Sequence, residues 1–535
     1  MRKISRFYPL LLILTLSLTG CSGLIESIFG LPHFAQPEQL DYVIDRQLRE
    51  VDLDSLSQKS KLLHDASMDQ IHQYLKEKKV SCVEITAYYL HRIKQLNPSM
   101  RAVISVNPAA IDEAKQYDEQ TINLQKKPLW GIPVLVKDNI ESKDAMPTTA
   151  GTIALKEYYP DEDADVVAKL RSSGAIILAK ANLSELAGLS FIAPAEPAGY
   201  SPVGGQTMNP YGPGKWNVSG SSSGSAAGVA LDFAPVAIGT ETYGSIIGTA
   251  SANSVVGVKP TLGLLSKSGI IPLSHTYDTA GPLTKTVKDA ALLLSVMAGY
   301  RPNDSHTYDK NYFSELNKTN LKGIKIAASS EFVRLAPGRQ ILAKFKQAGA
   351  KVDIMDYQIP ADHLKEIFKE IVAHEFHQDM NEYLQKNHPV WGLRSLSDLI
   401  DYNQENPDKR IPYGQSHLLR AQRTKLTPKE HQQKIAYLRK ITEKQVVIPF
   451  FEQKKYDVIL TINSKASPTH FGTLPNDISA YASLPSVCLP AGYIHDNQPI
   501  SITLVGPKHS EKKLLQIAHV FEQIGPKRKP PQIKS

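Results

Sequence analysis

The chain has little cysteine, with three in 535 residues, at positions 21, 82 and 488. So few thiols exclude a disulfide-stapled scaffold, and a chain of this length can bury a large core without one. We expect Cys82 and Cys488 to be buried free thiols, although the sequence alone leaves a bridge between them open. Histidine, cysteine and carboxylate residues do not recur at metal-ligand spacing, so the sequence predicts no metal centre and no cofactor.

Charge of one sign is also scarce. The formal net charge is +8 over the whole chain, which is too weak to indicate a nucleic-acid partner. No long run of like charge indicates a disordered arm. The basic triplet Lys527-Arg528-Lys529 lies close to the C-terminus. We interpret it as a solvated tail, and contact with anionic lipid is the alternative.

No apolar run is long enough to cross a bilayer, which takes about 20 residues. The run from Pro9 to Leu18 has roughly half that length and follows Arg2, Lys3 and Arg6. A basic start followed by a short apolar run is typical of a signal peptide rather than of a transmembrane helix. We therefore predict that residues 1–20 are a signal peptide.

The signal ends in Leu18-Thr19-Gly20-Cys21, which resembles the lipobox of bacterial lipoproteins. The resemblance implies that Cys21 is acylated, which would anchor the protein to a membrane, and residues 21–66 read as an irregular spacer. The expected location is the cell envelope, on its periplasmic or extracytoplasmic face. Ser22 favours the outer membrane if the host has one. A short buried helix with a chance cysteine is the alternative.

Two capping boxes mark helix starts. Ser67-Met-Asp-Gln70 and Ser81-Cys-Val-Glu84 each place a hydroxyl three residues before a side chain that can bond back to the first residue. We expect Asn97-Pro98 to end the second helix, because proline cannot continue the hydrogen-bond ladder.

Strand-like segments alternate with helical ones farther along the chain. Residues 130–137, 175–179 and 458–462 are short, apolar and rich in β-branched residues, whereas residues 166–173 look helical and residues 300–454 look mostly helical and polar. This alternation predicts an α/β sheet covered by helices on both faces.

Two segments rich in small residues carry the candidate chemistry. They are Ser219-Gly-Ser-Ser-Ser-Gly-Ser-Ala-Ala-Gly228 and Gly239-Thr-Glu-Thr-Tyr-Gly-Ser-Ile246. A Ser/Gly run is often a flexible linker. The first segment, however, leads directly into small apolar residues suited to a packed helix, which favours a loop whose backbone approaches another group closely.

Together with their flanking residues, these segments resemble the amidase-signature family. The matching stretches, in the family's order and spacing, are residues 131–139, 219–228, 239–245, 257–261, 278–282 and 486–492. The resemblance implies one large α/β domain over residues 67–515, with a mixed β-sheet core, followed by a helix end and basic tail at 516–535. Residues 205–207, 239–245 and 413–416 look most like the bacterial peptide amidase branch, which removes the C-terminal amide of peptides.

The resemblance also implies the catalytic residues. Ser245 matches the family's nucleophile, Ser221 its bridging serine, which follows a cis peptide bond, and Lys137 its base. A serine must lose its proton to attack, and a lysine can take that proton only when it is neutral, as burial favours. The backbone N–H groups of Thr242, Tyr243 and Gly244 would bind the oxyanion. The implied reaction converts carboxylic or peptide C-terminal amides to acid and ammonia without a metal, and we expect a monomer.

Four positions depart from the family pattern. Most members carry Asp where Glu241 stands and Arg where Ile247 stands, so an ion pair beneath the nucleophile turn is missing. Tyr243 replaces Gly or Asp, and its ring could narrow the leaving-group side, while Thr249 replaces Pro. These changes bear on substrate range more than on catalysis.

Other interpretations remain. Gly220-Ser-Ser222-Ser-Gly224 fits the nucleophile elbow of a Ser-His-Asp esterase using Ser222, but no hydrophobic strand precedes it. His374-Glu375-Phe-His377 has its histidines three apart, whereas the zinc protease pattern needs four, so we expect an ordinary helix surface. A non-catalytic lipoprotein that uses the fold as a binding scaffold is another alternative. An export signal argues against a role in a cytoplasmic tRNA amidotransferase.

Overall fold

A computed structural model describes residues 37–194, 196–299, 311–313, 316–355, 361–387, 392–463 and 473–533. All of them belong to one compact unit. The expected signal peptide and the expected lipid attachment at Cys21 lie outside the described residues.

The core of the fold is a mixed sheet of eleven strands, in the order β1-β3-β2-β6-β8-β7-β12-β13-β11-β9-β10, and β4 and β5 form a separate pair. The strands are β1 Val103–Val106, β2 Pro133–Lys137, β3 Ile176–Ala181, β4 Tyr200–Ser201, β5 Gly205–Gln206, β6 Val236–Glu241, β7 Val256–Lys259, β8 Thr279–Thr284, β9 Lys325–Ser329, β10 Lys351–Met355, β11 Val458–Asn463, β12 Ser486–Ile494 and β13 Gln498–Val505.

Helices surround this sheet. They are α1 Pro37–Leu48, α2 Leu53–Leu63, α3 Met68–Lys76, α4 Cys82–Met100, α5 Ala110–Asp118, α6 Asp165–Ser172, α7 Ser223–Ala230, α8 Ile247–Ala252, α9 Val287–Met297, α10 Glu331–Arg334, α11 Ala336–Gln347, α12 Ala361–Asn387, α13 Leu396–Gln404, α14 Pro407–Arg410, α15 Ser416–Arg423, α16 Pro428–Thr442, α17 Thr473–Tyr481 and α18 Glu511–Ile524, with a π-helical stretch at Glu443–Gln453. The predicted α/β fold, one large domain with a mixed sheet, is confirmed.

Strands β2 and β6 place the candidate chemistry. Both are buried along their whole length, and they run parallel, with Val136 opposite Ile238. Parallel strands end at the same edge of a sheet, so Lys137, the last residue of β2, comes to lie beside the end of β6. Ligand sites of open α/β sheets form at this edge.

Local capping was predictable. Ser67 caps α3 and Ser81 caps α4, and in both helices the reciprocal bonds of a capping box are formed. The predicted end of α4 at Asn97-Pro98 is wrong, since the helix runs to Met100 with Pro98 inside its last turn. It ends where Arg101 adopts a left-handed conformation (φ 51°).

The expected irregular character of residues 21–66 is wrong from Pro37 onward. This stretch forms α1 and α2, whose apolar faces are part of the main hydrophobic core. Asp52 caps α2 by accepting bonds from two backbone N–H groups of its first turn. Because these faces are buried, the part of the stretch from Pro37 onward is folded body rather than spacer.

Two further expectations need correction. Within residues 300–454, strands β9 and β10 extend the sheet at its edge, where β10 is only partly buried and its pattern is polar. The C-terminal triplet is not a solvated tail. The guanidinium of Arg528 is only 10% exposed and pairs with both carboxylate oxygens of Asp65, at 2.6 and 2.7 Å.

Cys82 and Cys488 are both buried and free, as predicted. In the described ranges we find no helix that combines the length and the apolar composition of a membrane span.

Candidate active site

Lys137 is fully buried at the carboxyl end of β2. Its Nζ lies 2.7 Å from Ser221 Oγ, 2.7 Å from Thr240 Oγ1 and 3.2 Å from the Thr240 carbonyl. Burial lowers the pKa of Lys137 to about 7, against the negative charges of Asp278 and Glu241, which raise it. Near neutral pH a substantial share of this lysine is therefore an uncharged amine that can accept a proton.

Ser221 lies in the Ser/Gly loop that enters α7, and the Gly220–Ser221 peptide bond is cis. Space forces the choice of glycine here, because a Cβ on Gly220 would stand 2.3 Å from Ser184 Oγ. The Ser221 carbonyl accepts a bond from the Ser184 N–H at 3.1 Å. The loop is thus a closely packed wall of the site and not a linker.

Ser222, the nucleophile of the esterase interpretation, is bonded to structure instead. Its hydroxyl donates to the Thr240 carbonyl at 3.0 Å and accepts from the Thr240 N–H at 3.2 Å, and the side chain is fully buried. Gly239 gives it room, since a Cβ there would stand 2.7 Å from Ser222 Oγ. Both hydrogen-bonding directions of this hydroxyl are therefore used to join the loop to β6.

Ser245 lies in the turn between β6 and α8. Its carbonyl accepts a bond from the Ser222 N–H at 3.3 Å, so the turn sits beside the Ser/Gly loop. Gly244 has a φ of 79°, a conformation that suits glycine. Among the described residues, Ser245 Oγ has no hydrogen-bond partner, so the geometry supplies the Lys137–Ser221 link and leaves the Ser221–Ser245 link to the sequence match.

The expected oxyanion donors lie in the same turn. Over the described ranges, the N–H groups of Thr242, Tyr243 and Gly244 donate to no protein acceptor. The turn is held from below by Thr242, whose hydroxyl donates to Asp278 Oδ1 at 2.5 Å. Unpaired amides in a fixed turn are the arrangement that stabilises an oxyanion.

Glu241 takes over the role of the missing ion pair. Its Oε2 accepts bonds from the N–H groups of Ile246 and Ile247, at 2.6 and 2.9 Å, at the start of α8. A carboxylate at a helix N-terminus is favoured by the helix dipole. Ile247 itself is buried, so the turn is fixed by backbone bonds rather than by an arginine.

Thr249 and Tyr243 are also accommodated. The Thr249 hydroxyl donates to the Ser245 carbonyl at 2.9 Å, a bond that proline cannot make. The Tyr243 ring is buried, with its centroid 5.5 Å from that of Phe368 and 5.9 Å from that of Phe191, and its hydroxyl donates to Asp477. The ring therefore packs into an aromatic cluster and ties the turn to α17.

Two polar groups of the site were not singled out from the sequence. Thr240 binds Lys137, and its Oγ1 also accepts from Asn139 Nδ2 at 3.1 Å. A threonine facing inward in a fully buried strand was the available signal, because buried hydroxyls need partners. The His374-Glu375-Phe-His377 segment lies on α12, but Glu375 faces inward and is fully buried, so the prediction of an ordinary helix surface is wrong for that residue.

The comparisons with known proteins agree with this site. The family model described as Amidase matches residues 84–515. The chain belongs to the amidase family. A probable amidase of Arabidopsis thaliana is 36% identical over 492 residues, which cover 88% of this chain and 92% of the relative. This amidase is also 33% identical to a glutamyl-tRNA(Gln) amidotransferase chain of Lawsonia intracellularis, over 87% of this chain and 98% of the relative.

Among solved structures, the native peptide amidase from Stenotrophomonas maltophilia superposes on the amidase with a TM-score of 0.81. It is 32% identical, and the match covers 88% of this chain and 99% of that one. The protein is accordingly an amidohydrolase with peptide amidase structural neighbours.

Proposed function

We propose that this amidase hydrolyses the C-terminal amide of peptides, or simple carboxylic amides, to acid and ammonia by a Ser-Ser-Lys mechanism. The observation that carries the proposal is the contact between the fully buried Lys137 and Ser221, 2.7 Å from Nζ to Oγ. A buried amine with a pKa of about 7 beside a serine is a base ready to take a proton at neutral pH.

In the proposed mechanism, Ser245 Oγ attacks the amide carbonyl carbon while its proton passes to Ser221 Oγ, whose own proton passes to Lys137 Nζ. The carbonyl oxygen becomes an oxyanion facing the amides of Thr242, Tyr243 and Gly244. Collapse of this intermediate breaks the C–N bond, and the proton held by Lys137 returns through Ser221 to the departing nitrogen, which leaves as ammonia. Water then hydrolyses the Ser245 ester by the same relay and restores all three residues.

The substrate class is proposed from similarity and from the turn. The structural likeness to a peptide amidase and the segments 205–207 and 413–416 favour a peptide on the acyl side. Gln206 Nε2 donates to the Ala198 and Thr207 carbonyls, at 3.0 Å each, and so fixes the loop that leads to the Ser/Gly segment. Ammonia is small, and the leaving-group side needs no larger space.

We further propose that the protein acts as a monomeric lipoprotein of the cell envelope, tethered through Cys21. The basic and apolar N-terminus with Leu18-Thr19-Gly20-Cys21 supports this location. The same feature argues against the role of the amidotransferase relatives, whose name, glutamyl-tRNA(Gln) amidotransferase, refers to a different substrate.

The experiment is ammonia release from a panel of peptide amides, free amino-acid amides and aryl amides. We expect kcat/KM to be highest for peptide amides, and no turnover of any class by the Ser245→Ala variant. Preference for aryl or free amino-acid amides would contradict the peptide substrate and leave the mechanism standing. No ammonia from any amide, with the protein folded, would favour a binding scaffold.

A further inference from the structure

A second group of ionisable side chains forms outside the catalytic residues. His275 lies in the loop between β7 and β8, Glu375 on α12 and His431 on α16. One ligand atom from each of the three lies within 4.8 Å of the others. Histidine and carboxylate from separate elements converging on one point is the composition of a transition-metal site, although the sequence spacing gave no sign of it.

The distances within this His-Glu-His cluster suit a small metal ion. His275 Nε2 lies 3.3 Å and His431 Nε2 lies 2.7 Å from Glu375 Oε1. Two ligands bound tetrahedrally to zinc at about 2.0–2.1 Å stand roughly 3.4 Å apart. The first pair already has nearly that separation, and the second needs to open by less than about 1 Å to reach it.

The groups behind the ligands have the arrangement found around metal-bound histidines. His275 Nδ1 lies 2.8 Å from Asp379 Oδ1, which turns Nε2 toward Glu375. A carboxylate that holds the far nitrogen of a histidine orients it for metal binding. The Glu375 carboxylate is itself oriented by the hydroxyls of Ser274 and Thr276.

Charge and access also fit a divalent cation. Glu375 is fully buried and Asp379 is 13% exposed, so the two carboxylates place negative charge in a poorly solvated place. Two positive charges would neutralise it. His275 is 49% exposed, which leaves an open side for entry of the ion and for a water as fourth ligand.

We propose that His275, Glu375 and His431 bind a divalent transition-metal ion of the zinc type, with Asp379 holding His275 in place. Binding forms three protein–metal bonds and displaces the proton shared between His431 Nε2 and Glu375 Oε1, which leaves to solvent. Affinity therefore rises with pH, as it does for other histidine sites.

Such an ion would stabilise the fold rather than take part in catalysis. It would join α12 and α16 to the loop that carries Asp278. The Asp278 carboxylate accepts bonds from the Leu273 and Ser274 N–H groups and from the Thr242 hydroxyl. The metal would thus fasten the loop beneath the oxyanion turn from its outer side.

The test uses the full-length protein and Co²⁺ as the spectroscopic probe, with Zn²⁺ as competitor. We expect one equivalent of Co²⁺ to give visible absorption bands of a low-symmetry four-coordinate site and Zn²⁺ to abolish them. Zn²⁺ should also raise the melting temperature. His275→Gln should remove the bands and the shift, and Asp379→Asn should weaken binding about 10–100-fold.

His377→Gln is the matched control, since His377 is on the same helix and outside the His-Glu-His cluster; it should bind as the wild type does. His275 is half exposed, so its variant should fold, which circular dichroism checks. Wild-type protein that binds Co²⁺ no more tightly than His275→Gln would overturn the proposal. So would loss of binding in His377→Gln as well, because it would indicate an adventitious surface site.

Discussion

Thr240 Oγ1 lies 2.7 Å from Lys137 Nζ, in a buried group of hydrogen bonds that holds the lysine beside Ser221. The threonine accepts from both Lys137 and Asn139. Its position on the penultimate residue of β6 means that the strand, and not a loop, fixes the direction of the lysine side chain. Rigid elements hold catalytic geometry better than loops do.

Thr240→Val should therefore lower kcat about tenfold, which corresponds to the loss of one hydrogen bond to a charged group, and leave KM nearly unchanged. The hydroxyl oxygen favours the ammonium form of Lys137, so its removal should also lower the pKa of Lys137 and move the acidic limb of the pH–rate profile to lower pH. Steady-state kinetics across pH measures both effects. Thr284→Val, a buried strand threonine bonded to the Thr286 carbonyl, is the control.

The pH dependence of the wild type follows from the same lysine. Because burial lowers the pKa of Lys137 to about 7 and only the neutral amine is a base, kcat/KM should be low at about pH 6 and below and rise through an apparent pKa near 7. A profile of ammonia release from about pH 5 to about pH 9 checks this. An acidic limb close to the ordinary lysine range, above about pH 9, would show that Lys137 is not the base.

The proposed nucleophile can be labelled directly. Ser245→Ala should reduce turnover at least about 10⁴-fold, and Ser245→Ala/Lys137→Ala should be little worse, because residues that act as a unit do not lose activity additively. Mass spectrometry after reaction with a fluorophosphonate should find the label on Ser245. Label on Ser222 would favour the esterase interpretation. Ser221→Ala should retain more activity than Lys137→Ala if a water bridges the gap.

The C-terminal contact has a measurable stability. Arg528→Ala removes a two-pronged ion pair with Asp65 and leaves a carboxylate partly buried, which should cost about 3 kcal/mol of unfolding free energy. Urea denaturation measures the loss. Lys529→Ala, at an exposed neighbouring side chain, should change it by less than about 1 kcal/mol. Equal effects of the two substitutions would show that the pair contributes nothing particular.

The anchor prediction rests on Cys21. Cys21→Ser should abolish incorporation of labelled palmitate and move the protein from the membrane fraction to the soluble one. Cys82→Ser is the control, because Cys82 is a buried thiol of the folded body. If the Cys21→Ser protein still partitions wholly with membranes, the lipoprotein assignment is wrong.

Sequence reasoning found the parts of this site that depend on local chemistry. A strand ending in lysine, a glycine-rich loop and a tight turn leave marks in the residue types, and Ser221 and Lys137 do lie together. It did not find Thr240 as a partner of the lysine, because a threonine in a strand has the same pattern whether it faces the core or a base. The Ser245 hydroxyl contact with Ser221 also remains a prediction.

Contacts between distant segments were beyond the sequence for a general reason. The His-Glu-His cluster draws one residue from each of three elements, and no fixed spacing joins them. Arg528 looked like part of a charged tail, because a basic triplet before prolines has the same composition whether it is solvated or inserted. The predicted helix end at Pro98 was wrong, and Arg101, with its left-handed backbone, is where the helix closes.

The ion pair between Asp65 and Arg528 spans 463 positions of the chain. A polypeptide leaves the ribosome, or enters a translocation channel, N-terminus first, so Asp65 waits for nearly the whole chain before its partner arrives. This contact is therefore made only after synthesis or threading is essentially complete. An added C-terminal fusion would start within a few residues of that contact, so we expect it to compete with closure unless a linker sets it back from Arg528.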